Sequence, residues 1–153
     1  MKHIILKLKR YIKNIIYYIP IILKDTDYDY ENIYGLLYYK LKKMEKFHLS
    51  DNAICANNIK TAKQIKIAKN VCKRLYENNY ILNASIEYDK KYNDEDLFKF
   101  KKTKNNLYKL IIDKESQQSK DFDKCSNLSD YLKNQDKEYL FKYLNKYIEN
   151  WWD

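Results

Sequence analysis

A chain of 153 residues with one glycine, Gly35, and one proline, Pro20, has few means of making tight turns. Hairpins, sandwiches and barrels lean on both residues. Glycine enters the left-handed backbone region without steric penalty, and proline presets the backbone angle of a turn. Their scarcity argues against a sandwich or barrel and predicts helices joined by connections rich in Asn and Asp. The length suits one domain and can bury a core without disulfide or metal staples. The expected class is all-α: four to five amphipathic helices in one bundle-like domain over 1–153, with a variable, irregular, partly mobile insert at 80–127.

The periodicity predicts a first helix over 3–19. Ile4, Ile5, Leu8, Tyr11, Ile12, Ile15, Ile16 and Ile19 share one face, with Lys7, Arg10 and Lys13 mostly on the other. Pro20 should end or kink it, because proline lacks the N–H donor and clashes with the preceding turn; 21–24 should be extended or a short turn. A wide isoleucine face is what a core needs, so core packing is the preferred reading of this helix. The alternative lays it on an anionic membrane with its lysines among the headgroups.

A second helix is expected from near Asp29 to about Phe47, with Ile33, Leu37, Leu41, Met44 and His48 on one stripe. Gly35 within it costs about 1 kcal/mol against Ala and leaves room for another backbone to approach. The third helix, about 56–78, buries Ile65, Ala68, Val71, Cys72, Leu75 and Tyr76 and turns Lys63, Lys66, Lys73 and Arg74 the other way. Between 79 and 125 the pattern weakens. A short strand or irregular chain is expected over 80–92, a helix from Asp94 through Ile111 and Ile112, and a polar loop over 116–126. A last helix over about 128–152 carries Leu140, Tyr143, Leu144, Tyr147, Ile148 and Trp151 on one stripe.

The formal net charge is +9 and the pI about 9.2. Such a balance permits binding to nucleic acid or to an anionic membrane. Lys, Asn, Ile and Tyr dominate, as in chains from AT-rich genomes, so part of the charge follows from codon bias. Lysine far outnumbers arginine, whereas readers of phosphate and bases favour the guanidinium fork. Lys63, Lys66, Lys73 and Arg74 are the candidate phosphate contacts. The structural alternative for them is a solvated helix face.

No catalytic residue, metal site or cofactor is assigned. Asp25-x-Asp27-x-Asp29 imitates the start of a calcium loop, but the sixth and twelfth places hold Tyr30 and Leu36 where that loop needs Gly and Glu. The preferred reading makes Asp25, Asp27, Tyr28, Asp29 and Tyr30 a cap or interaction cluster before the second helix. A weak Mg2+ or Mn2+ site on the three carboxylates is the sharper alternative. Asp89-Lys90-Lys91 matches a nuclease string that arises by chance in so lysine-rich a chain. His3 and His48 are too few for a metal triad or a Ser/His/Asp relay. Cys55, Cys72 and Cys125 are odd in number and scattered, which fits a reducing compartment. The chain lacks the roughly 18 consecutive apolar residues of a spanning helix. No small-residue cleavage site follows the apolar run 15–23. The expectation is a protein that is neither secreted nor transmembrane. Trp151-Trp152-Asp153 is its most unusual string, with Trp151 as core anchor and Trp152 as interface patch.

Leu23-Lys24-Asp25-Thr26-Asp27-Tyr28-Asp29-Tyr30, a helix with Leu41-x-x-Met44, then His48, a lysine-rich helix with Ala62-Lys63-x-Ile65-Lys66, and the Trp151-Trp152-Asp153 end follow one another in a distinctive order. In this the chain resembles a family of short proteins encoded by bacteriophages. Their members carry an acidic-aromatic lysine-aspartate junction, with Trp where this chain has Tyr28, and a tryptophan-rich end. The resemblance covers roughly 10–80 and 138–153. It implies a viral origin and supplies no activity or catalytic residues.

Function is expected on these grounds to be that of a non-enzymatic phage accessory or interaction protein, in the cytoplasm of the infected host cell or in the virion. A protein partner is preferred, nucleic acid is second, and a membrane surface reached through the basic first helix is third. The enzymatic alternative is a small metal-dependent nucleic-acid enzyme using Asp25, Asp27 and Asp29.

Overall fold

The structure is a computed structural model that describes all residues except 1, 26–28, 52, 54–56, 93–98, 104–106, 112–115, 152 and 153. At 2, 99, 110 and 111 it describes backbone without side chains. In chain order the elements are α1 (Lys2–Ile22), α2 (Glu31–His48), α3 (Asn58–Glu77), α4 (Tyr80–Tyr92), β1 (Lys99–Lys102), β2 (Tyr108–Ile111), α5 (Gln117–Tyr147) and a 3-10 turn (Glu149–Trp151). The fold is all-α, with one small hairpin as its sheet among the described residues. The chain clusters into two compact units, one of residues 1–78 and 136–153, the other of 79–135.

The first unit is built on the α2–α3 pair. On α3, Ala62, Ile65, Ala68, Val71, Cys72 and Leu75 are buried, as the spacing predicts, while Tyr76 is half-buried. Small Ala62 and Ala68 let α2 come close. On α2 the stripe differs from expectation at its start. Asn32, Tyr34 and Gly35 are buried together with Leu41, Met44 and His48, and Ile33 is exposed. Gly35 explains the shift. A methyl there would collide with Ile21 and come within 2.8 Å of the Tyr76 ring, so side chains, not a second backbone, fill the gap. Leu140, Leu144 and Trp151 close the core from the end of the chain.

Two polar devices set the helix ends. The Asp29 carboxylate accepts the Glu31 N–H at 2.8 Å, and Asn32 Nδ2 donates to Lys24 O and to Asp25 Oδ1 at 2.9 Å. The first of these satisfies a backbone N–H that a helix start leaves without an internal partner, and the Asn32 bonds tie α2 to the chain just after α1. Asn78 ends α3 in the left-handed region (φ 48°), its N–H donating to Arg74 O and its amide to Glu31 Oε1. Asn tolerates that conformation because its short polar side chain bonds locally.

Helix α1 departs from expectation twice. It runs through Pro20 to Ile22, and Leu23 N–H still reaches Ile19 O at 2.9 Å. One missing donor in the final turn removes a single helical bond, which the helix survives. Its isoleucine face also does not enter the core: Ile4 is 70% exposed, Ile15 59% and Ile16 63%. The core-packing reading is therefore overturned for this face. Contact with the body is made through Asn14, Tyr17, Tyr18 and Ile21 instead, and of these Ile21 is fully buried.

The second unit replaces the irregular insert expected over 80–127 with regular elements. Residues 80–92 form α4, where the Tyr88 and Tyr92 rings meet one turn apart, their centres 4.8 Å apart and their planes tilted by 42°. The helix expected through Ile111 is instead an antiparallel hairpin pairing Lys99 with Ile111 and Lys102 with Tyr108. The polar stretch after 116 opens α5, because the Ser116 hydroxyl accepts the Ser119 N–H at 3.1 Å as a helix cap does. Asp121 then gathers Lys91 Nζ (2.7 Å), Tyr92 OH (2.8 Å), Gln117 Nε2 (2.9 Å) and Lys124 Nζ (3.1 Å). The Tyr88 ring meets Phe122 edge-on.

Candidate functional site

The residues singled out in the sequence fall into three places. Asp25 and Asp29 turn toward the α2 start, as described above. Asp27 and Tyr28 lie outside the described residues. Tyr30 is half-exposed under the Lys137 ammonium, 5.5 Å from its ring centre. Among the described residues, no group of three or more His, Cys, Asp or Glu side chains gathers where a metal ion could be held. His48 is buried and its Nδ1 lies 3.2 Å from Asn58 Oδ1, so it ties the end of α2 to the start of α3. Burial pushes the Cys72 thiol up to about 12, far from the range of a nucleophile.

The α3 cations divide. Arg74 donates two bonds to the Asp136 carboxylate, at 2.6 and 2.7 Å, and Lys73 pairs with Glu77 at 3.4 Å. Lys63 and Lys66 are exposed. A phosphate ligand that recruits Arg74 would have to displace Asp136 from its bidentate pair. At the end of the chain Trp151 is 1% exposed, and Trp152 lies outside the described residues.

The isoleucine face of α1 is an exposed apolar stripe. Ile4, Ile5, Leu8, Tyr11, Ile12, Ile15, Ile16, Ile19 and Ile22 are all exposed. At the helical period they cover an arc of roughly 140°, bounded by Lys7 on one edge and Lys9 on the other. Single exposed apolar residues are ordinary, but these are contiguous. Their exposed area is on the order of 900 Å², above the roughly 300–600 Å² of the largest patch on a typical monomer. No Asp or Glu precedes Asp25 in the chain, whereas Lys2, Lys7, Lys9, Arg10, Lys13 and Lys24 all do. The helix therefore presents an apolar stripe with cations at its margins and no carboxylate of its own.

No described helix is long and apolar enough to cross a membrane. No protein-family model, curated protein or solved structure matches the chain.

Proposed function

We propose that the chain is a non-enzymatic accessory protein that works at an anionic membrane surface, held there by α1 lying in the plane of the interface. The observation that carries this is the outward-facing isoleucine stripe of α1 with lysine on both edges. A helix of that kind lies with its apolar face at the boundary of headgroups and acyl chains, and its lysines extend into the headgroups.

Magnitudes decide which lipid it needs. Removing half of the stripe from water contributes roughly 10 kcal/mol at about 25 cal/mol per Å². Immobilising the protein costs roughly 4–15 kcal/mol. Apolar burial alone thus comes close to balance. Each lysine near an anionic surface adds about 1 kcal/mol, and this addition makes attachment depend on anionic lipid. The resemblance to short phage proteins makes an infected bacterial cell the proposed setting.

Two of the other readings have less support. A nucleic-acid face on α3 would have two of its four cations already held by carboxylates. A metal-dependent enzyme would draw on Asp25 and Asp29, which are engaged at the start of α2.

Co-sedimentation tests the proposal. The protein is expected to pellet with phosphatidylcholine vesicles containing phosphatidylserine and to stay in solution with phosphatidylcholine alone. Ile12→Asp with Ile16→Asp should weaken binding by about tenfold or more, equivalent to ~1.4 kcal/mol, with an unchanged melting temperature because both positions are exposed. Failure of the wild-type protein to pellet with the anionic vesicles would refute it.

A further inference from the structure

On the docked side of α1, Lys13 and Tyr17 face the second half of α2 and Lys69 of α3 across an open hollow of about 840 Å³. Its walls mix ammonium groups with apolar surface. Lys42, Lys43 and Lys46 come from α2, beside Phe47 and Leu49, which are exposed. Among the described residues Glu45 is the one carboxylate in the lining, and it is engaged with Lys69 at 2.5 Å in a pair that is largely shielded from solvent. Among the described residues Lys13, Lys42, Lys43 and Lys46 have no carboxylate partner.

Lys43 is the built part of this hollow. Its ammonium donates to Asn14 Oδ1 and stands 5.6 Å from the Tyr17 ring centre and 5.8 Å from that of Tyr18. The Tyr17 ring is itself fixed, since its hydroxyl donates to Tyr39 O at 3.1 Å. An ammonium has three donors; Asn14 takes one, and the others remain for a ligand. The cation–π contacts hold the side chain in place beforehand, so less conformational freedom is lost when a ligand binds.

Four ammonium groups around one hollow repel one another, and that repulsion is relieved by an anion of more than one charge between them. Lysine binds phosphate as a point charge, so a dianionic phosphomonoester gains more here than a monoanionic diester. Phe47, Leu49 and the lysine stems leave apolar wall beside the cations, which suits the glycerol and acyl portions of a lipid. Two lining residues, Lys13 and Tyr17, belong to the same helix that carries the isoleucine stripe.

We propose that the hollow between α1, α2 and α3 is a headgroup site for a membrane lipid with a terminal phosphomonoester, its phosphate held by Lys13, Lys42, Lys43 and Lys46. The inference rests on the membrane reading above and adds lipid selectivity to it.

The test compares phosphatidylcholine vesicles carrying phosphatidic acid with vesicles carrying phosphatidylserine, matched in surface charge. The full-length protein is expected to bind the phosphatidic acid vesicles several-fold more tightly. Lys43→Gln should lose about fivefold in affinity for phosphatidic acid, the size of one lysine contact at a membrane surface, and with it the preference. Lys66→Gln, on the exposed face of α3 outside the hollow, should weaken both bindings alike and keep their ratio. Unchanged thermal melting of both variants establishes that they are folded. Equal binding to charge-matched vesicles would overturn the headgroup site while leaving attachment through α1 standing; binding to neither would overturn both. Saturable calorimetric binding of glycerol 3-phosphate without any preference among vesicles would also overturn it, by showing a soluble phosphate as the ligand.

Discussion

Trp151 is the third residue from the end of the sequence and the largest fully buried side chain among the described residues. The spacing from Leu140 and Leu144 places it on the apolar stripe of the last helix, so its position was legible. What the spacing hides is that the chain leaves α5 at Tyr147 and reaches Trp151 through a tighter 3-10 turn. The indole N–H is buried and finds no acceptor among the described residues. That predicts an uneven response to substitution. Trp151→Ala should lose about 3–5 kcal/mol, because the cavity adds to the lost transfer energy. Trp151→Phe should lose much less, because it removes an unsatisfied donor along with the volume. Urea unfolding of both variants checks this, and equal losses would mean that the N–H is bonded after all. Gly35 marks the opposite limit of what a sequence shows. A glycine inside a helix signals close packing, but only the structure identifies Ile21 and Tyr76 as what packs there.

Elements with a strong apolar period were legible, and those held by polar contacts were not. Helix α3 reads cleanly because its buried positions are apolar or small and its exposed ones are mostly charged. Helix α4 and the start of α5 look like loop because their mutual contacts run through Asp121, Lys91 and Tyr92, which carry no periodic signal. The hairpin has no glycine to announce it; Thr103 N–H and Oγ both bond Leu107 O across its turn instead. The Asp121 network makes this unit sensitive to pH. Hydrogen bonds from Lys91, Tyr92 and Lys124 hold the Asp121 carboxyl well below the usual carboxylate range. The hydrogen bond to Asp121 raises Lys91 above the ordinary ammonium value. A carboxyl depressed by folding stabilises fully above its unfolded pKa of about 4 and loses that contribution as pH falls toward the folded value. A raised ammonium stabilises fully below about 10.4 and loses its contribution as pH rises beyond it. Amide exchange over 80–92 and 117–124 should therefore accelerate at both extremes relative to α3. In Asp121→Asn the acid limb should vanish. An acid limb that survives would place the titration elsewhere.

For the whole molecule, helical class could be read from composition, because few turn-making residues leave few other choices. Which faces remain outside could not, since an amphipathic helix has the same pattern whether its stripe meets protein or lipid. The same ambiguity applies to the net charge of +9, which gains meaning because six of its cations precede the first acidic residue. Salt separates the two contributions. The screening length falls from about 10 Å at 0.1 M to about 3 Å at 1 M, so binding to anionic vesicles should be lost over that range, because apolar burial alone does not hold the protein on neutral lipid. Binding that persists at 1 M salt would mean that the stripe suffices by itself, and neutral vesicles should then capture the protein too.

The two sides of α1 also answer to different neighbours. Asn14, Tyr17, Tyr18 and Ile21 meet a fixed surface, where shape and hydrogen-bond geometry limit what can stand in their places. Ile4, Leu8, Ile12, Ile15 and Ile16 would meet a fluid that accepts any greasy side chain. One side of this helix is then free to drift among apolar residues over generations, while the other is held to a few exact identities by the protein beneath it.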